Sequence, residues 1–174
     1  AHVVGLDSPV IGLSWGFDLH TMSDRSWLPA LQGLIVDSEA TKRIARGAGV
    51  PPQAITFLPW GVDIDRFAPQ GPAADVTTWG VPESAPTVLS LRAHEPLYRV
   101  SDILEGFAQT SQDSTDVHLL VGHRGSLTEQ LQSEANELGI ADRTHFIGPI
   151  AENDLPALLR AAKLYVSASE VDGT

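Results

Sequence analysis

Residues 87–122, TVLSLRAHEPLYRVSDILEGFAQTSQDSTDVHLLVG, decide the fold. Thr87–Leu91 is a short apolar run of strand length, and Val117–Val121 is a second one, closed by Gly122. Between them Ser101–Thr110 sets Ile103, Leu104, Phe107 and Ala108 on one face of a helix. Continuous apolar strand, amphipathic helix, continuous apolar strand is the pattern of a parallel sheet covered on both faces. Downstream the alternation continues. Ser126 and Glu129 stand at capping-box spacing, ahead of Leu127, Leu131, Ala135 and Leu138 at helical intervals up to Gly139. Thr144–Ile147 reads as a strand, Asp154–Ala162 as a helix and Leu164–Val166 as a last strand. Upstream, Pro9–Trp15, Leu34–Val36 and Ile55–Leu58 read as strands. Ser38 is a good N-cap for a helix from Glu39 to near Arg46, ended by Gly47 or Gly49. Pro59–Glu83 is rich in Pro and Gly and lacks periodicity, which marks a linker.

The expected class is α/β. Residues 1–60 form the end of a first domain, 61–84 a linker, and 85–174 most of a second domain. Ala1–Leu6 reads as an element already under way, and Val171-Asp172-Gly173-Thr174 as a strand-to-helix turn. The chain is therefore expected to be an internal fragment, incomplete at both termini.

Composition excludes several classes. With 174 residues, 43% hydrophobic and spread evenly, the chain can bury a core and is not disordered. No stretch approaches the roughly 18 to 20 consecutive apolar residues of a membrane span, and no basic region followed by an apolar run is visible at its start. Cysteine is absent, which excludes disulfides and thiolate metal sites. The expected location is cytoplasmic, with membrane association at most peripheral, at the inner face. The net charge of −11, from 22 acidic and 11 basic residues, repels a phosphate backbone, so nucleic acid is not an expected partner. A small anion can still be held locally by placed Arg and backbone N–H groups.

In open α/β sheets ligands lie beyond the carboxyl ends of the strands. Three such ends carry polar or glycine-rich residues: Arg92, the turn Gly122-His123-Arg124-Gly125, and Ser167–Thr174. Arg92 and Arg99 suit a diphosphate, because guanidinium groups match phosphate oxygens with paired hydrogen bonds. The glycines allow close backbone approach, and the following helix offers a positive N-terminus. Glu170 and Asp172 can accept hydrogen bonds from sugar hydroxyls. Diphosphate plus sugar describes a nucleotide sugar. Each residue also has a plain structural reading: Arg99 as a helix-flanking cation, Gly122, Gly125 and Asp172 as turn formers, His123 as a solvated loop residue, and Trp15 as packing. Asp18 and His20 lack further ligands at metal spacing, so no metal is expected.

Several segments together resemble the retaining glycosyltransferases of family 4, which have the two-Rossmann GT-B fold. Leu58-Pro59-Trp60-Gly61-Val62-Asp63 with Phe67-Ala68-Pro69 is similar to the hinge I-P-N-G-V-D…F-x-P. Val88–Arg92 resembles the strand ending in the diphosphate-binding G-R, and Val121-Gly122 with Gly125 the V-G-x-G turn. Phe146–Ile150 resembles the F-x-G segment that meets the nucleobase. Ser167–Thr174 is similar to a variant S-x-S-x-x-D-G-T. Leu91 replaces the usual Gly, the usual Lys downstream is missing, and Ser14-Trp15-Gly16-Phe17-Asp18 occupies the place where many members carry His.

The resemblance implies sugar transfer from a nucleotide-diphosphate donor to a glycan, lipid or small-molecule acceptor, with retention. It implies neither a metal nor a cofactor besides the nucleotide sugar as substrate. Arg92 and Asp172 are the implied catalytic residues. Donor binding falls to Arg92, Arg99, Gly122, His123, Gly148, Ile150, Glu170, Asp172, Gly173 and Thr174, and the acceptor side to Trp15 and Asp18. The alternatives are a GT-B sugar-nucleotide epimerase and a degenerate GT-B module that binds without catalysis.

Overall fold

The computed structural model describes residues 8–15, 17–110 and 116–170. The chain divides into two compact units, with the boundary between Val62 and Asp63.

The first unit runs β1 (Ile11–Ser14), α1 (Phe17–Thr21), β2 (Gly33–Val36), α2 (Glu39–Gly47) and β3 (Ile55–Phe57). Its sheet is parallel in the order β1-β2-β3, with Leu13 beside Ile35 and Ile35 beside Thr56. Ser38 caps α2 as its sequence predicts, accepting the Thr41 N–H at 3.1 Å. Gly49, at φ 90°, follows the helix in the left-handed conformation that glycine adopts without a Cβ penalty. Leu34 and Val36 project from β2 into a core with Leu19, Leu28, Leu31, Ala45 and Val50. The helix α1 was not foreseen, because one turn is too short to show a period. Its start is fixed by Asp18, whose carboxylate accepts the Trp15 N–H at 3.1 Å.

The second unit runs β4 (Thr87–Ser90), α3 (Val100–Thr110), β5 (His118–Gly122), α4 (Thr128–Glu137), β6 (Thr144–Gly148), α5 (Leu155–Ala161) and β7 (Leu164–Tyr165). All pairings are parallel, in the order β6-β5-β4-β7. The central strands are buried on both faces, and the alternation of β5 shows how. Leu119 and Val121 pack with Ile103, Leu104 and Phe107 of α3 and Leu131 and Ala135 of α4. Leu120 turns to the opposite face, with Leu89, Leu158 and Val81. Fully burying each such side chain stabilises by about 1.5–3 kcal/mol.

Residues 63–84 do not behave as the linker expected over 61–84. From Asp63 onward this stretch belongs to the second unit. Ala74 N–H donates to Ala157 O at 2.9 Å. Arg160 donates to Pro72 O at 2.8 Å and to Ala68 O at 3.1 Å, and Arg66 pairs with Glu152 at 2.6 Å. Val81 is fully buried, with Ala74, Val76 and Trp79 packed around the same cluster. Irregular backbone hides this attachment from a periodicity argument.

Among the described residues no helix is long and apolar enough to cross a membrane.

His118 Nδ1 and His145 Nε2 lie 2.9 Å apart across β5 and β6, with their rings stacked. Burial, before any neighbouring charge, holds both imidazoles below the ordinary value of 6.5, and it does the same to His94. The unfolded chain takes up these protons at the ordinary value, whereas the folded chain resists them. Stability is therefore fully present above about pH 6.5 and declines as the pH falls through and below it. The urea midpoint should drop between about pH 7.5 and about pH 5.5, and His118→Gln should flatten part of that drop. A midpoint that stays level would contradict neutral burial of these rings.

Candidate functional site

The strand order of the second unit reverses at β4: the chain steps outward through β5 and β6, then returns to place β7 on the other flank of β4. Such a reversal leaves a crevice at the carboxyl ends of the two diverging strands. Arg92 follows β4 and Ser167 follows β7, and Arg92 Nε donates to Ser167 Oγ at 3.0 Å across that crevice. Ser167 Oγ is in turn 2.9 Å from Ser169 Oγ. The Arg92 guanidinium also lies over the Tyr98 ring, 5.9 Å from its centroid.

The turn after β5 is built by close approach. His123 takes a left-handed φ of 72°, and its N–H donates to Gly148 O at 2.6 Å. Gly148 itself sits at φ 72°, and Gly122 pairs in register with it. Gly122, His123 and Gly148 are thus brought together. Ile150 packs against the Leu89–Leu120 face of the sheet. Glu170 is exposed, and its N–H donates to Leu97 O at 2.9 Å, which ties its segment to the turn carrying Tyr98. Arg99 adopts φ 46° and pairs with Asp102 at 2.5 Å across the first turn of α3. Asp172, Gly173 and Thr174 lie outside the described residues.

Two features of this region escaped the sequence reading. The first is His94, wholly buried. Its Nε2 is 3.1 Å from Gly122 O and its Nδ1 2.9 Å from Thr128 Oγ1. Burial keeps the ring neutral. A proton on Nε2 is the arrangement that avoids setting a nitrogen lone pair against the Gly122 carbonyl. The His94 backbone is engaged as well, accepting from Leu127 N–H and donating to Arg124 O. His94 therefore fixes the turn 122–128 to the loop that carries Arg92.

The second feature corrects the expected capping box. Ser126 does not cap α4 with Glu129; its N–H and hydroxyl both donate to the Glu95 carboxylate, at 2.8 and 2.6 Å. These bonds hold the Glu95 carboxyl below its ordinary range. A carboxylate from 31 residues away thus occupies the backbone amide ahead of α4, where the sequence reading left room for a phosphate. The helix also stops at Glu137, so that Leu138 is exposed rather than on the apolar face.

In the first unit, Trp15 follows β1, Asp37 follows β2 and Trp60 lies just past β3. The two indoles meet edge to face, with centroids 4.9 Å apart and planes at 70°. Trp60 Nε1 donates to Asp37 Oδ2 at 3.3 Å. Trp15 and Asp18 are therefore brought together, and Trp60 reaches Trp15 from beyond β3, the other edge strand. Among the described residues no group of three or more His, Asp or Glu side chains gathers as a metal-ligand set.

Two parallel-sheet units, the second with a guanidinium at its topological switch point, define a Rossmann-like α/β protein. The family described as glycosyl transferases group 1 matches residues 75–174, and the chain belongs to that family. The chain is 30% identical over 141 residues to the D-inositol 3-phosphate glycosyltransferase of Geodermatophilus obscurus, covering 76% of this chain and 31% of that protein. It is 29% identical over 123 residues to the GDP-mannose-dependent alpha-(1-6)-phosphatidylinositol monomannoside mannosyltransferase of Mycobacterium tuberculosis, covering 70% and 32% respectively. Anabaena HepE, solved in complex with UDP, superposes with a TM-score of 0.74 at 18% identity, over 92% of this chain and 47% of that one. The chain thus spans about a third of the length of the curated relatives it matches.

The turn 122–128 tolerates no side chain at Gly125. A Cβ there would lie 2.5 Å from His94 O and 2.7 Å from Glu95 Oε1. Gly125→Ala should destabilise by about 1–3 kcal/mol, read from the denaturant midpoint, with amide shifts centred on 92–98 and 122–128. Gly106→Ala in α3, whose Cβ meets nothing within 4 Å, should stabilise by about 0.5–1 kcal/mol. Equal effects from the two would contradict the packing described.

Proposed function

We propose that this chain belongs to an enzyme that transfers a sugar from a nucleoside-diphosphate donor with retained anomeric configuration. The second unit holds the donor's diphosphate at the crevice between β4 and β7. The observation that carries the proposal is the Arg92–Ser167 bond, which places a cation and two hydroxyls at the switch point of a parallel sheet. The relatives support it: one is a GDP-mannose-dependent mannosyltransferase, and a neighbour of the same fold was solved with UDP.

In this proposal the bond from C1 of the sugar to the diphosphate oxygen breaks, and its electron pair leaves with the diphosphate. The acceptor hydroxyl oxygen forms the new bond to C1, and its proton passes to the departing diphosphate oxygen. Arg92 meets the charge that grows on the departing oxygens. Stabilisation fixed in place before the reaction costs no reorganisation at the transition state, which is why such terms dominate catalysis. The left-handed turn at His123 and the adjacent Gly122 and Gly148 let the donor approach the backbone closely. Asp172, with Gly173 and Thr174, is assigned to the donor sugar. The proposal needs no metal and no cofactor besides the donor. The acceptor is a glycan, lipid or small molecule on the first unit, and the reaction takes place in the cytoplasm or at the inner membrane face.

Arg92→Ala should weaken UDP or GDP binding by on the order of ten- to a hundredfold, the worth of a hydrogen bond to a charged group. Arg92→Lys keeps the charge but loses the planar fork, and should fall between the two. Calorimetric titration checks this; equal affinity of the wild type and Arg92→Ala would remove the diphosphate from this crevice.

A further inference from the structure

The peptide between Gly122 and His123 is clamped at both ends. In a trans peptide the carbonyl and the amide N–H point in opposite directions. Gly122 O lies 3.1 Å from His94 Nε2 on one side, and His123 N–H donates to Gly148 O at 2.6 Å on the other. His123 needs such a clamp, because a φ of 72° is disfavoured for a residue with a side chain. Strained backbone of this kind persists where its surroundings over-determine it, and it gathers at ligand-binding positions.

The bonds around the His94 ring run in one direction. Gly125 N–H donates to Thr128 Oγ1 at 2.9 Å, the Thr128 hydroxyl donates to His94 Nδ1 at 2.9 Å, and His94 Nε2–H donates to Gly122 O. In the reverse tautomer the Thr128 hydroxyl would turn to Gly125 O, also at 2.9 Å, but the Nε2 lone pair would face the Gly122 carbonyl. The series therefore closes with a proton on Nε2 and none on Nδ1.

The ring reaches further than this turn. It meets Phe146 edge to face at 5.9 Å, two residues before Gly148 on β6. One side chain thus ties together the segments that carry Arg92, the Gly122–His123 peptide and Gly148. An imidazole wholly removed from water costs more desolvation than a leucine of similar volume. What the imidazole adds is a directed bond to one carbonyl. We infer that His94, as its Nε2–H tautomer, is a positioning residue for the nucleotide: it sets the Gly122–His123 peptide at the angle from which that backbone receives a nucleoside diphosphate. Being buried, it acts through this peptide and not by touching the ligand. The inference rests on the nucleotide site proposed above.

Calorimetric titration of the chain with UDP and with GDP tests this. His94→Leu removes the bond to Gly122 O and should weaken the nucleotide that binds by about tenfold or more. His94→Gln, whose side-chain amide carries both a donor and an acceptor, should stay within about threefold of the wild type. Leu104→Ala truncates the core of the same unit and touches none of these bonds. It should lower the urea midpoint and leave the affinity of the folded chain unchanged. Should His94→Leu fail to fold, Thr128→Val against Thr128→Ser makes the same comparison at Nδ1. Nitrogen-15 spectra of the histidine-labelled chain should show His94 protonated at Nε2 and bare at Nδ1. The inference is overturned by equal affinity in the wild type and His94→Leu, by equal losses in His94→Leu and His94→Gln, by a matching loss in Leu104→Ala, or by a proton on Nδ1 alone. A wild type that binds neither nucleotide removes the nucleotide site and this inference with it. Binding that His94→Leu weakens and Arg92→Ala does not would uphold His94 and take the diphosphate away from Arg92.

Discussion

The backbone of β4 is the constraint on which the second unit depends. Both of its edges are paired, with β5 on one side and β7 on the other. The pairing extends past the strand ends: Lys163 N–H donates to Thr87 O and Val166 N–H to Leu89 O, each at 2.9 Å. The side chains of Leu89 and Ser90 are wholly excluded from water. A strand bonded on both edges has little freedom to slip its register, so the points where the chain leaves β4 and β7 are fixed relative to one another. Arg92 and Ser167 meet because the two backbones end side by side.

The loops above that sheet are held by polar contacts rather than apolar ones. Two pairs, His94 with Thr128 and Glu95 with Ser126, hydrogen-bond the 92–98 segment to the 122–128 segment. Around His94, the buried member, such bonds rigidify the loops when complete and are costly when broken. The neutral imidazole of His94 suits the role because one nitrogen donates while the other accepts. A charged side chain in that place would pay a large desolvation cost. Phe146 closes the arrangement edge to face against His94 at 5.9 Å.

How much of this was legible in the sequence follows from how local each signal is. The alternation of strands and helices in the second unit showed in the spacing of Ile103, Leu104 and Phe107 and in the apolar run at Leu119–Val121. Those patterns depend on neighbours a few residues apart. Ser38 was readable as a cap for the same reason. Arg92 and Ser167 were readable as strand-end residues, although their mutual bond spans 75 residues and was not. Ser126 misled because a local pattern competed with Glu95, which only the fold brings near. Residues 63–84 misled because Val81, Trp79 and Ala74 are spaced by the contours of another surface and by no period of their own. His94 gave no signal at all: a buried histidine and a solvated one look the same in a sequence.

The indole pair has an optical consequence. Two identical chromophores 4.9 Å apart, with planes at 70°, are close enough for their electronic transitions to mix. Such mixing splits an absorption band into components of opposite rotational strength, and the sign and size of the splitting depend on the angle between the rings. Trp27 and Trp79 pack in separate clusters. The chain thus carries an intrinsic chiroptical signature of the geometry at one edge of one sheet. A twist of either ring by a few degrees would be recorded there without any label attached.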